Sequence, residues 1–267
     1  MTQHTTAPGG DRPRRVLLVT AHPEPRSLTS TLSAFAEEHL RGLGHEVRTS
    51  DLHAMKWKPV LDAEDFPAHP DGEPLVLLDA QTRAQAEGRL PADVLAEQEK
   101  IRWADAVVLQ FPLWWFGVPA ILKGWLDRVF TPGFAHGPAL PAPYTAGSAL
   151  GGRRALLVSV SGSREGALSD RGVHGPLTEL LHPIQHGVFW FTGMAPLEPF
   201  GVYGSHGLDP ERFAEVRAAY AARLDGLFGD PVLPYLPLDE EHYDHDMRLL
   251  PGRGTPGAGG LALHRRA

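Results

Sequence analysis

The sequence predicts an α/β protein built on a single doubly wound parallel sheet. Three observations point there: short, wholly apolar runs that end in polar loops, segments of helical period between those runs, and aromatic or Gly-rich loops where the runs finish. A chain of 267 residues is long enough for one sizeable core and short for two.

The first run, Val16-Leu17-Leu18-Val19, reads as a buried parallel strand because it is apolar on both faces. From Thr29 onward Leu32, Phe35, Ala36, Leu40 and Leu43 recur at three- and four-residue spacing until Gly42 and Gly44 stop the helix. Val47 marks a short second strand. A helix near Asp93 to Trp103 precedes a third, Ala106-Val107-Val108-Leu109. Ile121, Leu122, Trp125, Leu126 and Val129 share one face of a helix from Val118 to Phe130, and Ala155 to Val160 forms the fourth strand. Val173 to His186 is predicted mostly helical, Pro196 to Tyr203 supplies a fifth strand, and Phe213, Val216, Tyr220, Leu224 and Leu227 mark a last amphipathic helix. Strands alternating with helices give a parallel sheet covered on both faces.

Composition narrows the function. With 42% hydrophobic and 21% charged residues the chain is globular, and a net charge of -7 argues against nucleic acid as a partner. No run approaches the roughly 18 apolar residues of a membrane helix, so no membrane insertion is expected. The first fourteen residues lack the apolar centre of a secretory signal. Absence of Cys excludes thiolate chemistry and suits a reducing compartment, so the expected location is cytoplasmic. The segment from Pro251 to Ala267, rich in Gly, Pro and Arg, is expected to be a tail too polar to order itself. His242-Tyr243-Asp244-His245-Asp246 looks metal-binding, but no third ligand from the core is visible, and no metal site is expected.

In a doubly wound sheet, ligands sit beyond the carboxyl ends of the strands. The first such loop, Thr20 to Thr29, sets His22, Ser27, Leu28 and Thr29 at a helix N-terminus, where free N–H groups attract phosphate. It lacks a G-x-G-x-x-G turn, and an N-cap role for Ser27 or Thr29 accounts for the pattern equally well. The second, Phe111 to Pro119, places Trp114, Trp115 and Phe116 consecutively after a buried strand. Consecutive residues cannot share one face, so space-filling explains them poorly and a planar ring ligand such as an isoalloxazine explains them well. The third, Ser159 to Gly166, is rich in Ser and Gly, so its backbone can approach a ligand closely.

Six stretches are more specific: Ala96-Glu97-Gln98, Gln110-Phe111-Pro112-Leu113, Trp115 to Trp125, Gly172-Val173-His174-Gly175, Pro183-Ile184-Gln185 and Leu197-Glu198-Pro199. On these, the chain from about Arg15 to Phe228 resembles the NAD(P)H:quinone oxidoreductases of the flavodoxin-like superfamily. The resemblance implies a flavodoxin-like doubly wound five-stranded parallel sheet of order 2-1-3-4-5. It divides the chain into a flexible tail over 1–14, a catalytic domain over 15–230 and a largely irregular C-terminal extension over 231–267.

It further implies FAD, with FMN as the alternative, and NADH or NADPH as donor to a quinone-type acceptor by a ping-pong mechanism in a homodimer. His22, Ser27, Leu28 and Thr29 would lie near the pyrophosphate. Pro112, Leu113, Trp114, Trp115 and Phe116 would line the isoalloxazine, Ser161, Gly162 and Ser163 would meet its pyrimidine end, and Arg212, spaced from His206 as in the family pattern, would lie toward the adenine. His174 would be the catalytic proton donor, and Trp115, Phe116, His136 and Phe191 would join it around the substrate. Two departures stand out: Leu168 replaces a tyrosine that works beside the histidine, and His136 stands where the family carries tyrosines at the cavity mouth. Two other classes share the fold, a flavodoxin-type electron carrier and a flavin-binding regulatory or ancillary subunit.

Overall fold

A computed structural model describes residues 13–70 and 72–266, so the expected N-terminal tail lies outside the described residues up to position 12. Strands β1 (Arg15–Thr20), β2 (Glu46–Asp51), β3 (Ala106–Pro112) and β4 (Arg154–Val160) are all parallel, and the sheet order is β2-β1-β3-β4-β5. The expected fifth strand is split. β5 (Ala195–Pro196) pairs with the start of β4 and β6 (Phe200–Val202) with its end, because Glu198-Pro199 interrupts the ladder between them.

Period-two alternation sends neighbouring strand residues to opposite layers. Leu17, Val19, Val107, Leu109 and Leu157 face helices α3 (Ala92–Trp103) and α4 (Ala120–Val129), whereas Val16, Leu18, Val108, Leu156 and Val158 face α1 (Leu28–Gly42) and α7 (Pro210–Asp225). Fully buried Trp125 on α4 and Tyr220 on α7 anchor the two layers. The Ala96-Glu97-Gln98 stretch is structural. Glu97, fully buried, accepts from Ser50 Oγ at 2.7 Å and Trp125 Nε1 at 2.9 Å, and Gln98 donates to the Val129 carbonyl at 3.0 Å. Gly124 lets the Trp57–Leu61 segment lie flat on α4, since a Cβ there would overlap the Pro59 carbonyl.

Three expectations need correction. A helix unforeseen in the sequence, α2 (Leu77–Ala86), lies before α3. The helical segment predicted from Val173 begins only at Leu177, because Gly175 takes φ +75 and Pro176 starts the first turn; α5 (Leu177–Leu180) and α6 (His182–Ile184) then run into a π turn, Gln185–Trp190. The segment from Pro251, expected as a tail, folds back. Leu236 N donates to the His264 carbonyl at 3.1 Å and Arg266 N to the Pro234 carbonyl at 2.7 Å, so backbone pairing does what apolar burial could not. No helix among the described residues is long and apolar enough to cross a membrane.

Candidate active site

The loops after β1, β3 and β4 converge on one cleft of about 350 Å³. Ser27, Leu28 and Thr29 form one wall, Pro112, Leu113 and Trp114 a second, and Gly162 the third, with His22 at the rim. Ser27 is indeed the N-cap of α1, its hydroxyl accepting from Ser30 N at 3.1 Å. Capping and ligand binding are compatible, because the first-turn amides of Leu28 and Thr29 still have no helical acceptor and carry the positive end of the α1 dipole. His22 Nδ1 accepts from Glu24 N at 3.0 Å, which leaves Nε2 as the donor of the neutral ring, 5.9 Å between centroids from Trp114. The Arg26 guanidinium and amide hold the Glu24 carboxyl below its ordinary value, so this acid beside the cleft is already paired.

Trp115 and Phe116 sit at the tip of a two-residue turn closed by Trp114 N to Gly117 O at 3.2 Å and Gly117 N to Trp114 O at 3.0 Å. Both occupy the left-handed region, with φ of 49° and 60°, where Asn-Gly is the usual solution. Bulky aromatics there are strained, and Trp115 is 96% exposed. Such an arrangement presents ring faces and backbone amides outward at the cost of local stability. His174 meets this turn: its ring centroid lies 4.7 Å from that of Phe116, and its amide donates to the Ala167 carbonyl. Leu168 is 4% exposed and apolar, so it offers His174 no polar neighbour.

Trp115, Phe116 and His174 lie outside the lining of that cleft, and the remaining expected residues scatter. Ser161 is buried, its hydroxyl accepting from Ser163 N at 3.1 Å, so it shapes the third loop from within. Arg212 is outside the cleft lining and pairs with Glu215 at 2.7 Å along α7. His136 and Phe191 share a separate cleft of about 350 Å³ with Lys123 and Asp127 of α4, their centroids 5.7 Å apart. Burial lowers the pKa of His136, favouring the neutral ring. The cleft of Ser27 and Trp114 also contains Ser205 and His206, which the sequence did not assign to the flavin. The signal was present in Gly162, where only a missing side chain leaves room for the His206 imidazole.

These loops on this sheet define a member of the flavodoxin-like family: the family model described as a flavodoxin-like fold matches residues 14–225, and the chain belongs to that family. Within it, the chain is an oxidoreductase similar to NAD(P)H dehydrogenases and quinone reductases. It is 40% identical over 258 residues to a ribosyldihydronicotinamide dehydrogenase-like protein of Penicillium crustosum, covering 94% of this chain and 96% of that one. It is 39% identical to NAD(P)H dehydrogenase (quinone) 1 of Cavia porcellus over 84% of this chain and 81% of the relative. The crystal structure of a candidate quinone reductase from Klebsiella pneumoniae superposes with a TM-score of 0.89 at 41% identity, covering 95% of this chain and all of that one.

Proposed function

We propose that the chain is a flavin-dependent two-electron reductase acting on quinones or related acceptors, with FAD as its flavin and NADH or NADPH as donor. The observation that carries this reading is the convergence of a helix N-terminus, an aromatic wall and a glycine loop on one cleft. Its donor set fits a phosphorylated planar cofactor: amides for phosphate, flat faces for rings, and a Gly162 backbone free to approach. Bound there, the flavin would supply a ring able to accept a hydride from NAD(P)H and to reduce the acceptor, the chemistry of a ping-pong cycle.

The chain's own groups do the rest. The α1 amides and Ser27 would hold the phosphate end, and Trp114 in the cleft lining, with Phe116 on the adjoining turn, would exclude water from the ring faces. His174 holds a proton on its imidazole beside Phe116, where negative charge developing on a neighbouring ligand is stabilised. Among the described residues the His174 ring makes no hydrogen bond, so its proton is available. The separate His136–Phe191 cleft suits a homodimer in which that cleft completes the acceptor site of a second copy. Steady-state oxidation of NADH or NADPH with menadione tests the reading. Turnover only with an added protein partner favours a carrier or regulatory subunit, and sinks it.

A further inference from the structure

Between the cleft and helix α7 lies a buried polar chain. Gln110, the fifth residue of β3, and Tyr220, on α7, are both fully buried. Tyr220 Oη lies 2.8 Å from Gln110 Oε1, and Gln110 Nε2 lies 2.6 Å from the backbone oxygen of Thr29 in the first turn of α1. The backbone oxygen of Gln110 accepts from Ala21 N at 3.0 Å, where the first loop leaves β1.

The direction of each bond is fixed. A carbonyl oxygen only accepts, so the amide nitrogen of Gln110 must face Thr29, its oxygen must face Tyr220, and Tyr220 must donate. Complete burial pushes the Tyr220 phenol well above its ordinary value, so it remains a donor. An apolar residue at 110 would fill the space but leave the Thr29 carbonyl without this donor. The chain therefore costs desolvation and is worth having only for the geometry it fixes.

We propose that Gln110, held by Tyr220, is a positioning residue for the cofactor cleft: it locks the first turn of α1 to the end of β3. The proposal rests on the flavin reading above. Two of the cleft's walls spring from the segments it joins, Ser27–Thr29 at the N-cap and first turn of α1 and Pro112–Trp114 at the end of β3 and just beyond it. A ligand touching both feels their spacing, whereas the sheet, built from its own ladder, does not.

The test is Gln110→Glu. An ionised carboxylate has no proton for the Thr29 carbonyl, while a protonated one donates there as the amide does. FAD affinity of this variant is expected to fall about tenfold or more near pH 8 and to recover toward the parent near pH 6, since burial raises a carboxyl pKa. Gln110→Met, with nothing to titrate, is expected to bind about 3- to 10-fold more weakly at both pH values, and Tyr220→Phe about threefold. Affinity is read by fluorescence titration of the stripped protein, with thermal unfolding recorded alongside. Parent-like FAD affinity in folded Gln110→Glu at the higher pH overturns the proposal, as does a loss equal at both pH values. Should Gln110→Glu fail to fold, parent-like affinity in both Gln110→Met and Tyr220→Phe overturns it, and weakened affinity supports it. A parent protein that binds no flavin is seen in the first titration and defeats the underlying reading together with the proposal.

Discussion

The imidazole of His174 lies against the ring of Phe116, centroids 4.7 Å apart and planes inclined by 47°. That contact joins the one titratable group expected to act in the reaction to the strained aromatic turn. With Leu168 buried and apolar, His174 is expected to act without a phenolic partner. His174→Gln is therefore expected to slow flavin reduction by roughly 5- to 100-fold, with flavin content unchanged. Stopped-flow bleaching by NAD(P)H, normalised to bound flavin, measures this, and an unchanged rate removes His174 from the mechanism.

The flavin itself is the second expectation. The flavin released by heating the protein should be FAD on chromatography. FMN alone would overturn that assignment while sparing the reductase reading.

Strain at the Trp115–Phe116 turn gives a third. At φ 49° a glycine is at ease and a tryptophan is not, and Trp115 has almost no buried surface to lose. Trp115→Gly should hold or raise stability, by up to about 1 kcal/mol, while weakening flavin or acceptor binding. Denaturant midpoints compared with flavin titrations decide; lower stability with intact binding contradicts the argument.

The fourth concerns assembly. Light scattering should show a dimer, and Phe191→Ala should raise the KM for quinone about 3- to 30-fold without loss of flavin. A fully active monomer at micromolar concentration defeats it.

A fifth follows from the imidazole stack at the C-terminal extension. His186 packs between Tyr144 and His182, and burial lowers its pKa to about 4; that of His182 is lowered as well. The unfolded chain thus binds protons more readily than the folded one. Stability from this site is fully present above the ordinary imidazole value and lost as pH falls through it toward 4. His186→Phe should flatten the urea midpoint over that window; an unchanged slope excludes the stack as its source.

The sheet was legible because β1, β3 and β4 each carry an apolar run, Val16–Val19, Ala106–Leu109 and Ala155–Val158, and the Ser27 wall of the cleft because Ser27 begins an obvious helix. Helix α2 was not, since Leu77–Ala86 buries only Gln81 and Ala84 and so shows no apolar stripe. The separation of His136 and Phe191 from Trp115 and Phe116 was equally hidden, because which loops meet in space is set by tertiary packing that carries no local mark in the sequence. Residues 251–266 misled because composition reports burial, and their order comes from backbone pairing with Pro234 and Leu236.

The split of the last strand reaches beyond the site. Open sheets advertise unpaired amides along their margins, and a long flat margin recruits other chains. Here one margin, β5 with β6, is too short to template growth, interrupted by Pro199 and covered where Leu197 bridges to Val232. The other, β2, bristles with Glu46, Arg48 and Asp51. Lateral strand addition, the first step toward a fibril, is thereby disfavoured on both sides of the sheet.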